Sequence, residues 1–238
     1  MNISQLEKQS IELFNFPLSG QQLDQLKLYS QLLMEWNEKF NLTAISDPLG
    51  IQQKHFLDSI STVIVLKKHT MTKVIDVGTG AGFPGLVIKV LFPEIRLTLV
   101  ESIGKKMKFC SVVAEALKLT AVNFLNDRAE LMGRDEQHRE KYDVAIARAV
   151  AAMPILSEYL LPFVQRNGIM LAQKGETGPA ETHQAENAIR ILGGKVRFIH
   201  PVTLPGVVED RYLVEVEKVA TTPDKYPRRV GIPNKRPL

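Results

Sequence analysis

An α/β fold with a mostly parallel sheet is predicted by three observations. From Lys73 onward, strand-like and helix-like segments alternate, the pattern of a parallel sheet covered by helices. The first of those strands breaks at three alternating glycines, Gly78, Gly80 and Gly82. The residues ahead of it carry helical rather than alternating periodicity. The chain therefore divides into an N-terminal helical extension (1–70), a sheet domain (71–220) and a basic C-terminal tail (221–238).

In the extension, Ile3 to Phe14 reads as a short amphipathic helix ended by Pro17. Ser19 suits the cap of a second helix, whose Leu23, Leu26, Tyr29, Leu33, Trp36 and Phe40 step by three or four and form one packing stripe. Asn41-Leu42-Thr43 leaves that helix and Asp47-Pro48 turns the chain. A single helix is predicted over Leu49 to Leu66. Within it His55 and Asp58 are three apart and share a face, turned either to a cleft or to solvent.

Lys73 to Val77 is a short buried strand of β-formers, and the glycines after it allow positive φ and close approach of a ligand. Pro84 fits the first turn of a helix running through Leu91, whose free N–H groups face the loop. Arg96 to Glu101 is a second strand, Ser102 to Leu117 a helix and Val122 to Asn126 a third strand, followed by Asp127-Arg128-Ala129-Glu130. Tyr142 to Ala147 is a fourth strand ending at Arg148, with a helix over Pro154 to Val164. Gly168 to Ala172 is a fifth, ending at Gln173-Lys174-Gly175, with a helix over Ala180 to Leu192. Lys195 to His200 and Arg211 to Val219, joined through Pro205-Gly206, read as a β-hairpin.

Ligands of open α/β sheets bind outside the carboxyl ends of the strands. Asp76, Glu101, Asp127 with Glu130, Arg148 and Lys174 all fall there. The glycine loop is a nucleotide-type cofactor site, and Gly80, Gly82 and Gly85 also satisfy the dinucleotide pattern G-x-G-x-x-G. Asp76 tips the balance towards a methyl donor, over another nucleotide or a purely structural glycine turn: a carboxylate at the strand end repels a pyrophosphate and attracts the sulfonium and ammonium of S-adenosylmethionine. Glu101 is placed to accept both ribose hydroxyls, and Asp127 to Glu130 to receive the adenine over an apolar floor such as Phe83 or Ala129.

The chain has 238 residues with 45% hydrophobic content, enough for one full core plus an extension. One cysteine, Cys110, excludes an internal disulfide, and no Cys or His cluster has zinc spacing, so a reducing cytoplasm and no metal are expected. Met1 to Pro17 has no apolar signal core and no run of 18 apolar residues occurs, so neither export nor a membrane span is expected. The net charge of +4 sits in the tail, where Lys225, Arg228, Arg229, Lys235 and Arg236 face one acid, Asp224. With its prolines and single Tyr226, that tail suits an anionic partner such as RNA, and no helix is expected in it.

The chemistry narrows further. No Asn/Asp-Pro-Pro-aromatic tetrad for an exocyclic amine is present, and Cys110 lies inside a helix, packed rather than nucleophilic. A ring nitrogen with a free lone pair, such as guanine N7, needs no proton removed, so alignment supplies most of the catalysis.

Taken together, Trp36 with Asn41-Leu42-Thr43, His55-Phe56-Leu57-Asp58-Ser59, the loop from Asp76 to Gly85, Glu101-Ser102 with Lys105-Lys106, Arg128-Ala129-Glu130, Ala147-Arg148-Ala149, Lys174-Gly175 and the terminal Tyr226-Pro227-Arg228-Arg229 segment resemble the bacterial RsmG (GidB) family of 16S rRNA guanine-N7 methyltransferases. The resemblance implies a Rossmann-like class I domain with an N-terminal helical extension, S-adenosylmethionine as donor, and N7 of a guanine in 16S rRNA of the small ribosomal subunit as acceptor. It carries cofactor contacts to Gly78, Phe83, Ala129, Glu130 and Arg148. Gly80 comes from the glycine loop itself, and Asp76 and Glu101 from charge and position in this chain. Lys174, Arg211, Arg228 and Arg229 are the candidates for guiding RNA, and a monomer is expected. A dinucleotide-dependent oxidoreductase, weakened by Asp76 and by the lack of a Tyr-x-x-x-Lys pair, a non-catalytic RNA-binding assembly factor, and a small-molecule methyltransferase, which leaves the basic tail unexplained, are the other readings.

Overall fold

The computed structural model describes residues 1–238 and contains one seven-stranded sheet. Its strands are β1 Lys73–Val77, β2 Arg96–Val100, β3 Val122–Leu125, β4 Tyr142–Arg148, β5 Val164–Lys174, β6 Gly194–Val202 and β7 Arg211–Lys218. They lie side by side in the order β3-β2-β1-β4-β5-β7-β6. The first five run parallel, while β7 is antiparallel to both β5 and β6, so the predicted hairpin supplies the far edge. Chain order reverses between β1 and β4, which opens a crevice at their carboxyl ends.

Side chains alternate across the sheet and feed two apolar layers. Val74, Leu97 and Leu99 pack towards the N-terminal helices α1 (Ile3–Phe14) and α2 (Gly20–Phe40) and towards α6 (Gly85–Leu91) and α7 (Gly104–Ala116). Ile75, Val77 and Val100 pack on the opposite side with α9 (Met153–Leu160) and α11 (Glu186–Ile191). The extension is thus one wall of the sheet domain's core. Its α2 begins with a capping box, Ser19 with Gln22, and buries Leu23, Leu26, Tyr29 and Leu33, whereas Phe40 at the end of the predicted stripe is exposed. Tyr29 reaches the glycine loop, its hydroxyl donating to the Ala81 carbonyl at 2.5 Å.

Several elements differ from expectation. The predicted helix over Leu49 to Leu66 is assembled from α3 (Pro48–Gly50), a π-helical segment Ile51–Leu57, α4 (Asp58–Ile60) and α5 (Val63–Leu66). Ser59, Ser61 and Thr62 bond back to carbonyls three or four residues earlier, competing with the regular ladder. Ala129–Met132 after β3 forms one further short helix, α8. The helix predicted to reach Val164 stops at Leu160, because Pro162 sits in a 3₁₀ turn, Leu161–Phe163, and Val164 already pairs with Tyr142. The helix predicted over Ala180 to Leu192 is split at Ala185 into α10 (Gly178–Gln184) and α11.

The tail is the largest departure. Tyr226 and Pro227 are buried, and a short helix α12 (Ile232–Lys235) forms with Pro233 in its first turn. Arg139 donates to the carbonyls of Thr222 and Tyr226, and Arg134 to that of Pro227. Buried Lys218 holds the start of the segment through Thr222 and pairs with Glu140 at 3.0 Å; burial lowers its ammonium to about 8. No helix is long and apolar enough to cross a membrane.

Candidate active site

The glycine loop is fixed by backbone before any ligand is considered. Gly78 and Thr79 donate to the Val100 carbonyl, and Gly80 donates to Glu101 Oε2 at 3.0 Å. Ile103 donates to Glu101 Oε1 at 2.8 Å, so two backbone donors orient this nearly buried carboxylate. A carboxylate offers about four lone-pair directions, which leaves acceptors for a further pair of donors. At Gly80, φ is 60° and an added Cβ would meet nothing within 4 Å. The backbone there faces open space.

Asp76 departs from its predicted role. It is fully buried beneath the loop and lines neither of the cavities described below. Its Oδ2 accepts from Thr79 Oγ1 at 2.6 Å and from the Gly85 N–H at 2.8 Å, which ties the first turn of α6 to the end of β1. Oδ1 has no partner, and burial pushes the carboxyl up to about 6. Asp76 therefore shapes the loop from below rather than facing a ligand. Gly85 is required at this joint, since a Cβ would lie 2.6 Å from Asp76 and from Leu99.

Two cavities open beside the loop and share Gly78, Glu101, Ser102 and Val150. The first, about 280 Å³, is lined by Asp127, by Ala129 and Glu130 of α8, and by Gly231 and Asn234 of the tail. The tail is therefore part of the site, which sequence reasoning missed. Glu130 is buried, and its Oε1 accepts from the Gly231 N–H at 2.9 Å. Phe83, expected as a floor for adenine, lies instead in the second cavity, stacked on Tyr29 at 5.0 Å and on His55 at 4.8 Å. Ala129 stands alone as the predicted apolar contact of the first.

The second cavity, about 510 Å³, is organised by Arg148 at the end of β4. Its guanidinium pairs with Asp58 at 2.7 Å, donates to the Lys54 carbonyl at 3.0 Å and to His55 Nδ1 at 3.1 Å, and lies 5.3 Å from the Phe83 ring centre. His55 and Asp58 do face the cleft, in agreement with one of the two readings of their spacing. Burial, then the neighbouring Arg148, lowers the His55 imidazole to about 3. Thr43 also lines this cavity and contacts His55 Nε2 at 2.8 Å. The motif containing Thr43 was visible in sequence, but nothing in its spacing assigned the hydroxyl a role.

Of the predicted RNA contacts, two are committed elsewhere. Lys174 donates to the Ala151 carbonyl and pairs with Glu181 at 2.7 Å, and its side chain is 11% exposed. Arg228 makes a bidentate pair with buried Glu158, the shorter contact being 2.6 Å, while its own N–H also reaches that carboxylate. Both serve packing. Arg211 lines the second cavity with only a 3.9 Å contact to Glu209, and Arg229 is exposed. Cys110 is buried and its thiol is pushed up by burial, so it supplies no nucleophile.

The glycine loop, the oriented Glu101 and the cavity running along open backbone fit a nucleoside-bearing methyl donor, and with the strand order they define a class I S-adenosylmethionine-dependent methyltransferase. The fold is shared with a mutant of the 16S rRNA (adenine(1408)-N(1))-methyltransferase from Catenulisporales acidiphilia, at TM-score 0.52 and 12% identity, over 63% of this chain and 86% of that one. Within the class, the chain belongs to the GidB family, rRNA small subunit methyltransferase G, whose family model matches residues 22–210. It is 44% identical to the ribosomal RNA small subunit methyltransferase G of Alkaliphilus metalliredigens over the whole of both chains, and 45% identical to that of Listeria monocytogenes over 93% of each.

Proposed function

We propose that this enzyme transfers the methyl group of S-adenosylmethionine to N7 of a guanine in 16S rRNA, acting in the cytoplasm as a monomer on the small ribosomal subunit without a metal. One observation supports the acceptor atom above all: apart from Glu101, whose remaining acceptors the donor's ribose hydroxyls engage, the second cavity holds no free base. Asp58 is ion-paired, the acceptor nitrogen of His55 is taken by Arg148, and the Cys110 thiol is buried. S-adenosylmethionine, when bound, supplies a methyl group on a sulfonium, and N7 accepts it with its own lone pair, so no proton must leave.

The residues then divide by task. Glu101 accepts from the ribose hydroxyls, and the backbone of Gly78 and Gly80 lets the donor lie against the loop. Ala129 and Glu130 flank the adenine, and Asp76 holds the loop from beneath. Arg148 fixes His55 and Phe83 as the wall of the acceptor cavity. Lys106 and Arg211 line that cavity and Arg229 lies exposed on the tail, a distribution suited to phosphates.

Deleting this chain from its host should remove one 7-methylguanosine from 16S rRNA, read as loss of one chemical cleavage specific for that nucleoside. Re-expression should restore it. An unchanged cleavage pattern would overturn the assignment.

A further inference from the structure

The acceptor cavity contains a hydroxyl whose hydrogen-bonding polarity is set by a relay of charged and neutral groups. Arg148 only donates, so the His55 Nδ1 at 3.1 Å from its Nη2 must accept. A neutral imidazole that accepts at Nδ1 carries its hydrogen on Nε2. That N–H therefore donates to Thr43 Oγ1 at 2.8 Å. The backbone N–H of Ile45 donates to the same oxygen at 3.1 Å. Both lone pairs of the Thr43 hydroxyl are thus occupied, and its own hydrogen has no protein acceptor.

The hydroxyl is also held in place. The Thr43 N–H donates to Asn37 Oδ1 at 2.9 Å, on the last turn of α2, and Asp58 anchors the other end of the relay through Arg148. Thr43 lines the same cavity as Phe83 and Arg148. The cavity wall presents one fixed donor.

We infer that the Thr43 hydroxyl selects guanine by donating to its O6, a role that rests on the guanine-N7 reading of this cavity. On the edge that carries N7, guanine offers two acceptors, N7 and O6, whereas adenine offers N7 and an amino donor. A hydroxyl restricted to donating matches O6 and opposes the adenine amino group. The Asp58–Arg148–His55 relay is what enforces the restriction, since reversal would require His55 to give up its bond with Arg148.

The test compares small subunits reconstituted with 16S rRNA carrying either guanine or 2-aminopurine at the target position. 2-Aminopurine keeps N7 and replaces O6 with hydrogen. The wild-type enzyme should methylate guanine roughly tenfold or more faster, the size expected for one lost hydrogen bond. Thr43→Val should bring the ratio close to one, and Thr43→Ser should keep it. Loosening of the cavity wall alone would slow both substrates and leave the ratio unchanged, so an unchanged ratio in Thr43→Val overturns the proposal, as does a wild-type ratio of one. If the wild type forms no 7-methylguanosine on the guanine subunits, the functional reading and this proposal fall together. A normal 7-methylguanosine product with an unaltered ratio removes only the role of Thr43.

Discussion

Asp76, bonded to Thr79 and Gly85 of the glycine loop, and His55, stacked on its Phe83, respond to burial in opposite directions. The Asp76 carboxyl is raised to about 6, so the folded state holds its proton more tightly than the unfolded chain does. Its stabilising contribution is complete below its ordinary value near 3.8 and is lost as pH rises through about 6. The contribution is about 3 kcal/mol, because a tenfold change in proton affinity between the two states is worth on the order of 1.4 kcal/mol. His55, lowered to about 3, stabilises the fold above its ordinary 6.5 and ceases to as pH falls towards 3. Asp76→Asn should therefore melt above the wild type at pH 8 and lose that advantage towards pH 4, by calorimetry. It should also retain S-adenosylmethionine affinity within a few-fold, because the carboxylate lines neither cavity. A loss of affinity of a hundredfold or more with an unchanged melting profile would restore the direct charge contact expected from sequence. The acid at the strand end was legible in sequence. Its depth was not, because burial depends on α6 folding back over it.

Among the elements, the sheet was legible because each strand carries its own run of β-formers and its own breaker, and the β6–β7 hairpin because Pro205-Gly206 marks the reversal. The π-helical segment was not, since a hydrophobic period does not distinguish it from an α-helix, and the hydroxyls of Ser59, Ser61 and Thr62 that bond back along the chain follow it. Nor was the course of the tail, whose partners Arg134, Arg139 and Glu158 lie some 70 to 90 positions away in sequence. Composition revealed that the tail is basic but could not separate the arginine that packs from the one that faces solvent. Arg228→Ala should destabilise the protein by about 2–3 kcal/mol in urea unfolding, since it leaves the Glu158 carboxylate buried and unpaired. Arg229→Ala should leave unfolding unchanged and reduce the slope of log affinity for rRNA against log salt by about one. If the two variants behave alike in both measurements, the division of the tail into a packed and an exposed arginine is wrong.

At the scale of the whole molecule, the N-terminal helices, the sheet and the tail meet at one crevice. Thr43 and His55 come from the first, Glu101 and Arg148 from the ends of β2 and β4, and Gly231 from the last. Neither cavity is complete without a segment outside the alternating β/α region, which explains why the glycine loop alone identified a nucleotide-type site and the combined motifs identified the family. Absence of a free base beside the acceptor cavity, other than the Glu101 carboxylate that the ribose hydroxyls engage, is what directs the reading towards a ring nitrogen. The most direct measurement is transfer of labelled methyl from S-adenosylmethionine to small subunits lacking the modification, followed by digestion to nucleosides. The label should appear in 7-methylguanosine alone. Label in any other nucleoside, or none despite normal donor binding, would contradict the account.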